Sequence, residues 1–310
     1  MVSQTSQESQ PQKSAKNLLS TPELNTLNTR SNISGSIQLI GHLVVMITSG
    51  YLWFAQTNWL IKIPALVVYG FSLAAMFAVV HECCHRTAFA NNRVNDLVAW
   101  LAGVLSGYNS TFYRRYHKWH HRYTQIPGKD PELEDPKPSN LPEYLVEISG
   151  INWWLGKLKT HYLVATGKLD HMPYIAENSR SAVIWSTRYQ LAVYGIAIAI
   201  SLFWGQPWFL TLWLLPLAVG QPILRLILLA EHTGCSNDNN SLANTRTTLT
   251  WFPIKFLMWN MPFHAEHHLY PSIPFHALPQ AHQLLKEHFT VIDRGYVAVN
   301  QKIISALNYS

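Results

Sequence analysis

The chain has 310 residues, of which 13% are charged and 48% hydrophobic, with 12 Trp, 14 Tyr, 12 Phe and a formal net charge of +6. Low charge and high apolar content exclude a disordered or collagen-like chain, and three Cys exclude a disulfide framework and point to a reducing compartment. The mean hydropathy of +0.01 averages long apolar runs with short histidine-rich ones.

Residues 1–34 are rich in Ser, Gln, Asn and Thr, with Pro11 and Pro22, and are expected to form a disordered N-terminal tail ahead of one domain over 35–310. No basic stretch leading into an apolar core follows Met1, so a cleaved leader is not expected. Four stretches, 36–55, 63–80, 189–204 and 208–230, are apolar enough to cross a bilayer, which takes about 20 residues per helix. Arg225 is the one charge among them and is expected to snorkel from a helix end. Trp53, Trp59, Trp204 and Trp208 fall at the edges, where aromatic belts form. Residues 97–108 and 249–259 are too short to span and read as interfacial or re-entrant helices, as does the segment around Trp153 and Trp154.

Twenty-one of the 23 Lys and Arg lie outside the spans and their two hairpins. The positive-inside rule then predicts a multi-pass integral membrane protein whose tail, 81–188 segment and C-terminal region all face the cytoplasm. The fold class expected is all-α: four transmembrane helices with a cytoplasmic helical cap. The positive charge reads as orientation; no basic stripe or reader motif points to nucleic acid.

The histidines cluster. His81 and His85 form HxxxH, His117, His120 and His121 form HxxHH, His264, His267 and His268 form a second HxxHH, and His232 stands alone after the fourth span. Positions i, i+3 and i+4 share a helix face, so each cluster presents its imidazoles together. Nine imidazoles exceed one ion's needs and suit two ions with four or five nitrogens each. A paired site beside a bilayer without a Cys tetrad favours two irons (Fe2+) activating O2. Glu82, Glu231 and Glu266 adjoin candidate ligands and either accept ring N–H groups or are simply solvated. Asn260, one helical turn before His264, is a candidate for direct or water-mediated approach to a metal. His42 reads as a packed core histidine, and His161, His171, His276, His282 and His288 as surface or capping residues. The acid-rich stretch 130–135 reads as a solvated loop without a catalytic role.

His81-Glu82-Cys83-Cys84-His85 also fits the HExxH pattern of a zinc membrane protease, but that reading leaves both HxxHH clusters unexplained. The three boxes together, in this order around four spans, resemble the membrane fatty acid desaturase superfamily over roughly residues 40–290. The run His264-Ala265-Glu266-His267-His268-Leu269-Tyr270-Pro271 is especially similar to its third box. The resemblance implies a cytoplasm-facing di-iron centre with the eight box histidines and His232 as ligands. It further implies O2 as oxidant, an acyl lipid drawn from the bilayer as substrate, and electrons from a ferredoxin or cytochrome b5. No haem-binding His-Pro-Gly-Gly segment occurs, so the donor is expected to be a separate protein. A hydroxylase or ketolase of a carotenoid or other small molecule is the alternative within the family. Tyr108, Asn109, Trp153, Trp154, Trp259 and Arg225 are candidates to line or anchor the substrate, with plain packing as the alternative.

Overall fold

One helix organises the computed structural model, which describes residues 18–135 and 137–307. It is α3 (Trp59–His85), following α1 (Thr21–Leu27) and α2 (Asn32–Ala55). From Gly70 to Cys84 every side of α3 is buried, with Ala74, Ala75, Ala78, Val79 and Val80 wholly inaccessible. A helix apolar all round has no amphipathic stripe and belongs at the centre. It packs on α2, on α4 (Asn92–Ser106) and on α9 (Leu215–His232). Against α9 the backbones meet at Gly70 and Gly220, where a Cβ on either would strike the other helix's main chain.

Between α4 and α9 lie α5 (Ser110–Tyr123), α6 (Leu141–Ser149), α7 (Ile151–Ala165) and α8 (Glu177–Phe203). A π-helical turn, Leu210–Leu214, leads into α9. Pro216 has no N–H to give the carbonyls behind it. The Tyr69 hydroxyl donates to Leu212 O at 2.7 Å and Trp53 Nε1 to Thr211 O at 2.8 Å instead. After α9 come α10 (Phe252–Leu257), α11 (His264–Leu269), α12 (Leu278–Leu285) and α13 (Tyr296–Ser305). Two short strands, β1 (Thr247–Leu249) and β2 (Ile292–Arg294), pair in parallel with Thr247 opposite Ile292. The protein is thus mostly helical, with one small parallel ribbon the all-α expectation omitted.

Among the described residues, four helices are long and apolar enough to cross a membrane: Asn32–Ala55, Trp59–His85, Glu177–Phe203 and Leu210–His232. They match the four expected stretches; the first three run longer and the fourth is shifted two residues on, so that the second and fourth absorb their histidines at their C-terminal ends. Of the two short stretches, 97–108 becomes α4, whereas only six residues of 249–259 are helical.

The expected tail is corrected over residues 18–34. Ser20 and Glu23 form a capping box that starts α1. Leu19 and Leu27 are buried against Phe263, Tyr270 and Phe289, and the Leu18 and Leu19 amides donate to the Tyr270 hydroxyl. A few Leu anchors in a polar stretch have no periodicity to read. The first 17 residues of that tail lie outside the described ones.

Candidate metal centre

Two helices end at the site, and each end is held by an arginine. α3 closes with Arg86 in the left-handed region (φ +60) just past His85. From α5, Arg114 donates to the terminal carbonyls of Cys83 (3.3 Å) and Cys84 (3.2 Å) and pairs with Asp96 at 2.5 Å. A guanidinium on free C-terminal carbonyls satisfies them and complements the helix dipole. Here it also fixes the helix bearing His117, His120 and His121 against the one bearing His81 and His85. At the end of α9, Arg246 donates to the carbonyls of Ala230 and Thr233 and pairs with Asp293 at 3.0 Å, fixing His232.

The third cluster lies on α11. Glu266, wholly buried, accepts from His282 Nδ1 at 2.6 Å and from the Thr247 hydroxyl at 2.5 Å, tying α11 to α12 and β1. Glu266 therefore does hold a histidine ring, though of His282, which is buried and not the surface residue expected.

All nine candidate histidines come together, in two groups. Ring nitrogens of His81, His85, His117, His121 and His267 lie within 4.8 Å of one another, as do those of His120, His232 and His268. His264 joins the second group, its ring centroid 4.5 Å from His268 and 5.1 Å from His232. Imidazole Nε2 atoms face one another at 3.0 Å (His117 and His121; His121 and His267) and 3.1 Å (His264 and His268). His120 Nδ1 donates to Asp130 at 2.9 Å and His232 Nδ1 to the Asn244 carbonyl at 3.0 Å, which leaves both Nε2 lone pairs inward. His268 Nδ1 lies 3.1 Å from the Thr124 hydroxyl.

These nitrogens fit a metal. Buried without a hydrogen-bond partner are both ring nitrogens of His81, Nε2 of His85, His120 and His232, and Nδ1 of His117. Native proteins leave few buried polar atoms unpaired, and inward-facing imidazole lone pairs suit Fe, Zn or Cu. Burial, then neighbouring imidazoles, holds His117, His121, His264, His267 and His268 well below 6.5, so they are neutral and ready to coordinate near pH 7. At His120 burial acts downward, yet Glu132 and Asp130 outweigh it and raise the imidazole; at Asp130 burial acts upward, yet His120 holds the carboxyl low.

Other expectations need correction. Glu82 is buried but accepts from the Phe275 amide at 3.0 Å, not from a ring. Glu231 has one oxygen 3.4 Å from His264 Nε2. Asn260 lies in a turn (φ +57) before α11, not a helical turn below His264, and its amide donates to the Phe275 carbonyl. The 130–135 stretch is solvated only at its end, where Glu134 and Asp135 are exposed; Asp130 is buried and accepts from His120, the Gln125 amide and the Glu132 amide. The acids closely following an HxxHH were the available signal. His42 is the packed histidine expected, donating to Ser72 O at 2.8 Å and accepting from Trp259 Nε1 at 3.3 Å.

A cavity of about 380 Å³ opens onto His81, His117, His120, His232 and His264. Tyr108, Trp153 and Arg225 line it, as candidates for such a role should. Arg225 does not snorkel: it donates to the Tyr108 hydroxyl at 3.0 Å, which also accepts from Trp153 Nε1 at 2.9 Å. Trp259 packs on Phe275, and Asn109 caps α5 and bonds Ser186 and Gln190. Trp154 stands edge-on to Trp153 at 4.7 Å.

A family model described as fatty acid desaturase matches residues 57–300. Among curated relatives, an sn-1 oleoyl-lipid 12-desaturase of Picosynechococcus sp. is 26% identical over 79% of this chain and 75% of its own length. A Delta(5) fatty acid desaturase of Caenorhabditis elegans is 25% identical, covering 73% of this chain and 57% of the relative. A sphingolipid delta(4)-desaturase of Drosophila melanogaster is 22% identical over 83% of this chain and 74% of its own length.

Proposed function

Because the chain belongs to the fatty acid desaturase family, we propose that this membrane oxidoreductase inserts a double bond into a lipid acyl chain, with O2 as oxidant and a two-iron centre. The observation that carries the reading is the convergence of nine imidazoles, six buried and three half-buried, five and four, from three motifs and His232. The names of the Picosynechococcus and Caenorhabditis relatives support an acyl substrate, and that of the Drosophila relative a lipid one.

The irons, held by His81, His85, His117, His121 and His267 on one side and by His120, His232, His264 and His268 on the other, would supply activation of O2 for cleavage of an unactivated C–H bond. O2 takes four electrons and four protons: two of each leave the substrate with its hydrogens, two electrons come from a separate ferredoxin- or cytochrome b5-type donor, two protons come from solvent, and two waters result. The chain's own residues set geometry. Arg114 and Arg246 hold the helix ends, Asp130 and the Asn244 carbonyl fix the tautomers of His120 and His232, and Tyr108, Trp153 and Arg225 shape the cavity wall beside the imidazoles.

In this reading all four long helices cross the bilayer, and the histidine end faces the cytoplasm, as the Lys and Arg distribution favours. Exposed Ile151, Leu155, Leu158 and Tyr162 on α7 suit a helix lying in the membrane interface. Residues 35–310 act as one desaturase unit.

The test is expression in a host supplying ferredoxin and reductase, with lipid acyl chains analysed by mass. Chains two hydrogens lighter, absent with His120→Ala, are expected. Chains heavier by one oxygen would replace desaturation with hydroxylation. Normal turnover by His120→Ala and His267→Ala, lost in Glu82→Gln, would overturn the reading in favour of HExxH proteolysis.

A further inference from the structure

The two imidazole groups are unequal, five against four, and a carboxylate stands beside His264 of the smaller group. Glu231 immediately precedes His232 in the last turn of α9, and its side chain is nine-tenths buried. Oε2 is 3.4 Å from His264 Nε2, the same nitrogen that faces His268 Nε2 at 3.1 Å. Oε1 is buried with no hydrogen-bond partner. Among the described residues, the His264 imidazole is the one ionisable nitrogen within 4 Å of this carboxylate, and no Lys or Arg pairs with it. A buried carboxylate with one orphaned oxygen and no cation is costly unless a positive charge completes its surroundings.

We propose that Glu231 is a direct ligand of the metal held by His120, His232, His264 and His268, making that site four nitrogens and one oxygen. This rests on the two-iron reading above. Each ion then has five protein donors, but of different character: imidazoles alone at one, imidazoles with a hard anionic oxygen at the other. A carboxylate beside histidines suits iron and lowers the charge of the ion that it binds. Glu132 approaches from the cavity side, its Oε2 3.5 Å from His120 Nε2, with a third of its side chain accessible. It is the less buried of the two carboxylates and the one with room to swing away. Glu231 is held by its helix, whose C-terminal carbonyls Arg246 fastens.

The experiment uses the full-length protein in detergent, stripped of metal and titrated anaerobically with 57Fe(II). Bound iron is counted and the Mössbauer spectrum recorded. Wild type is expected to take two irons in two distinct quadrupole doublets. Glu231→Gln, nearly isosteric but uncharged, is expected to bind the second iron at least about ten-fold more weakly and to lose or shift one doublet while the other is retained. Glu231→Asp keeps the charge but withdraws the oxygen by one methylene. It should fall between the two, and it decides the matter if the Gln variant does not fold. Two irons with both doublets unchanged in Glu231→Gln and Glu231→Asp would overturn the assignment of Glu231 alone. No iron uptake by wild type would overturn the two-iron reading itself.

Discussion

The Asp130 carboxylate accepts a hydrogen bond from His120 Nδ1 at 2.9 Å, with both side chains essentially inaccessible to solvent. Asp130 is itself fastened by the amides of Gln125 and Glu132. The pair fixes one imidazole's tautomer and aims its Nε2 into the four-histidine group. Asp130→Asn is therefore expected to weaken iron binding at that group by about ten- to a hundred-fold while the five-histidine group keeps its iron. Iron titration against wild type checks this, and an unchanged second affinity would refute it.

Arg114 joins the end of α3 to α5 through Cys83, Cys84 and Asp96. Arg114→Met removes those bonds and is expected to cost about 1.5–3 kcal/mol, read as a lower melting midpoint in detergent. Arg114→Lys should recover little of it, because an ammonium cannot reproduce the guanidinium fork. Full recovery by Lys would mean that only charge mattered.

Where α3 and α9 cross, Gly220 has no room for a side chain, because its Cβ would fall on the Gly70 backbone. Gly220→Ala should cost about 1–3 kcal/mol or more through overpacking and disturb His232 at the end of the same helix. Gly195, in α8, has open space around it. Gly195→Ala should leave stability equal or raised by about 0.5–1 kcal/mol. Equal melting midpoints for the two variants would contradict the packing.

Lys157 Nζ sits 3.7 Å from the centroid of the Tyr108 ring. Burial, with the Arg225 charge added and Glu132 opposing, pushes its ammonium down to about 7. The groups facing it are Arg225, Glu132, Tyr108 and His161. An unfolded Lys holds its proton up to about 10.4. Between these values the unfolded chain binds more protons, so the Lys157 contribution to stability rises with pH from about 7 to 10, and its penalty is complete below 7. Lys157→Met should flatten the melting midpoint over that window and raise it below pH 7. An undiminished slope would refute the assignment.

Removing metal should act on the whole fold, since the nine imidazoles come from four helices. A ligand at 100 times its dissociation constant stabilises by about 2.7 kcal/mol, so chelation should lower the melting midpoint by several degrees and added Fe(II) restore it. His42→Gln, at the satisfied histidine of α2, should bind iron like wild type.

The histidine spacings and the four apolar runs were legible directly, because helical periodicity and bilayer length are local properties of the chain. The same holds for His42, whose place inside an apolar run marked it as packed. Arg225 was misread because its run gave no sign of Tyr108, 117 positions earlier, waiting to accept its hydrogen bond. Leu19 and Leu27 were misread as tail because the surface that buries them is some 240 residues away in the chain.

By itself the sequence determined which histidines are candidates for the chemistry, that three histidine motifs flank long apolar helices, and hence the family. Only the tertiary structure decided how nine imidazoles divide into five and four, that Asp130 and not Glu82 orients a ring, and that Glu231 stands beside the smaller group. The physical reason is range. Motif spacing follows from the 3.6-residue turn, whereas the division of the imidazoles follows from how α3, α5, α9 and α11 cross, with close glycine contacts and two arginines closing helix ends.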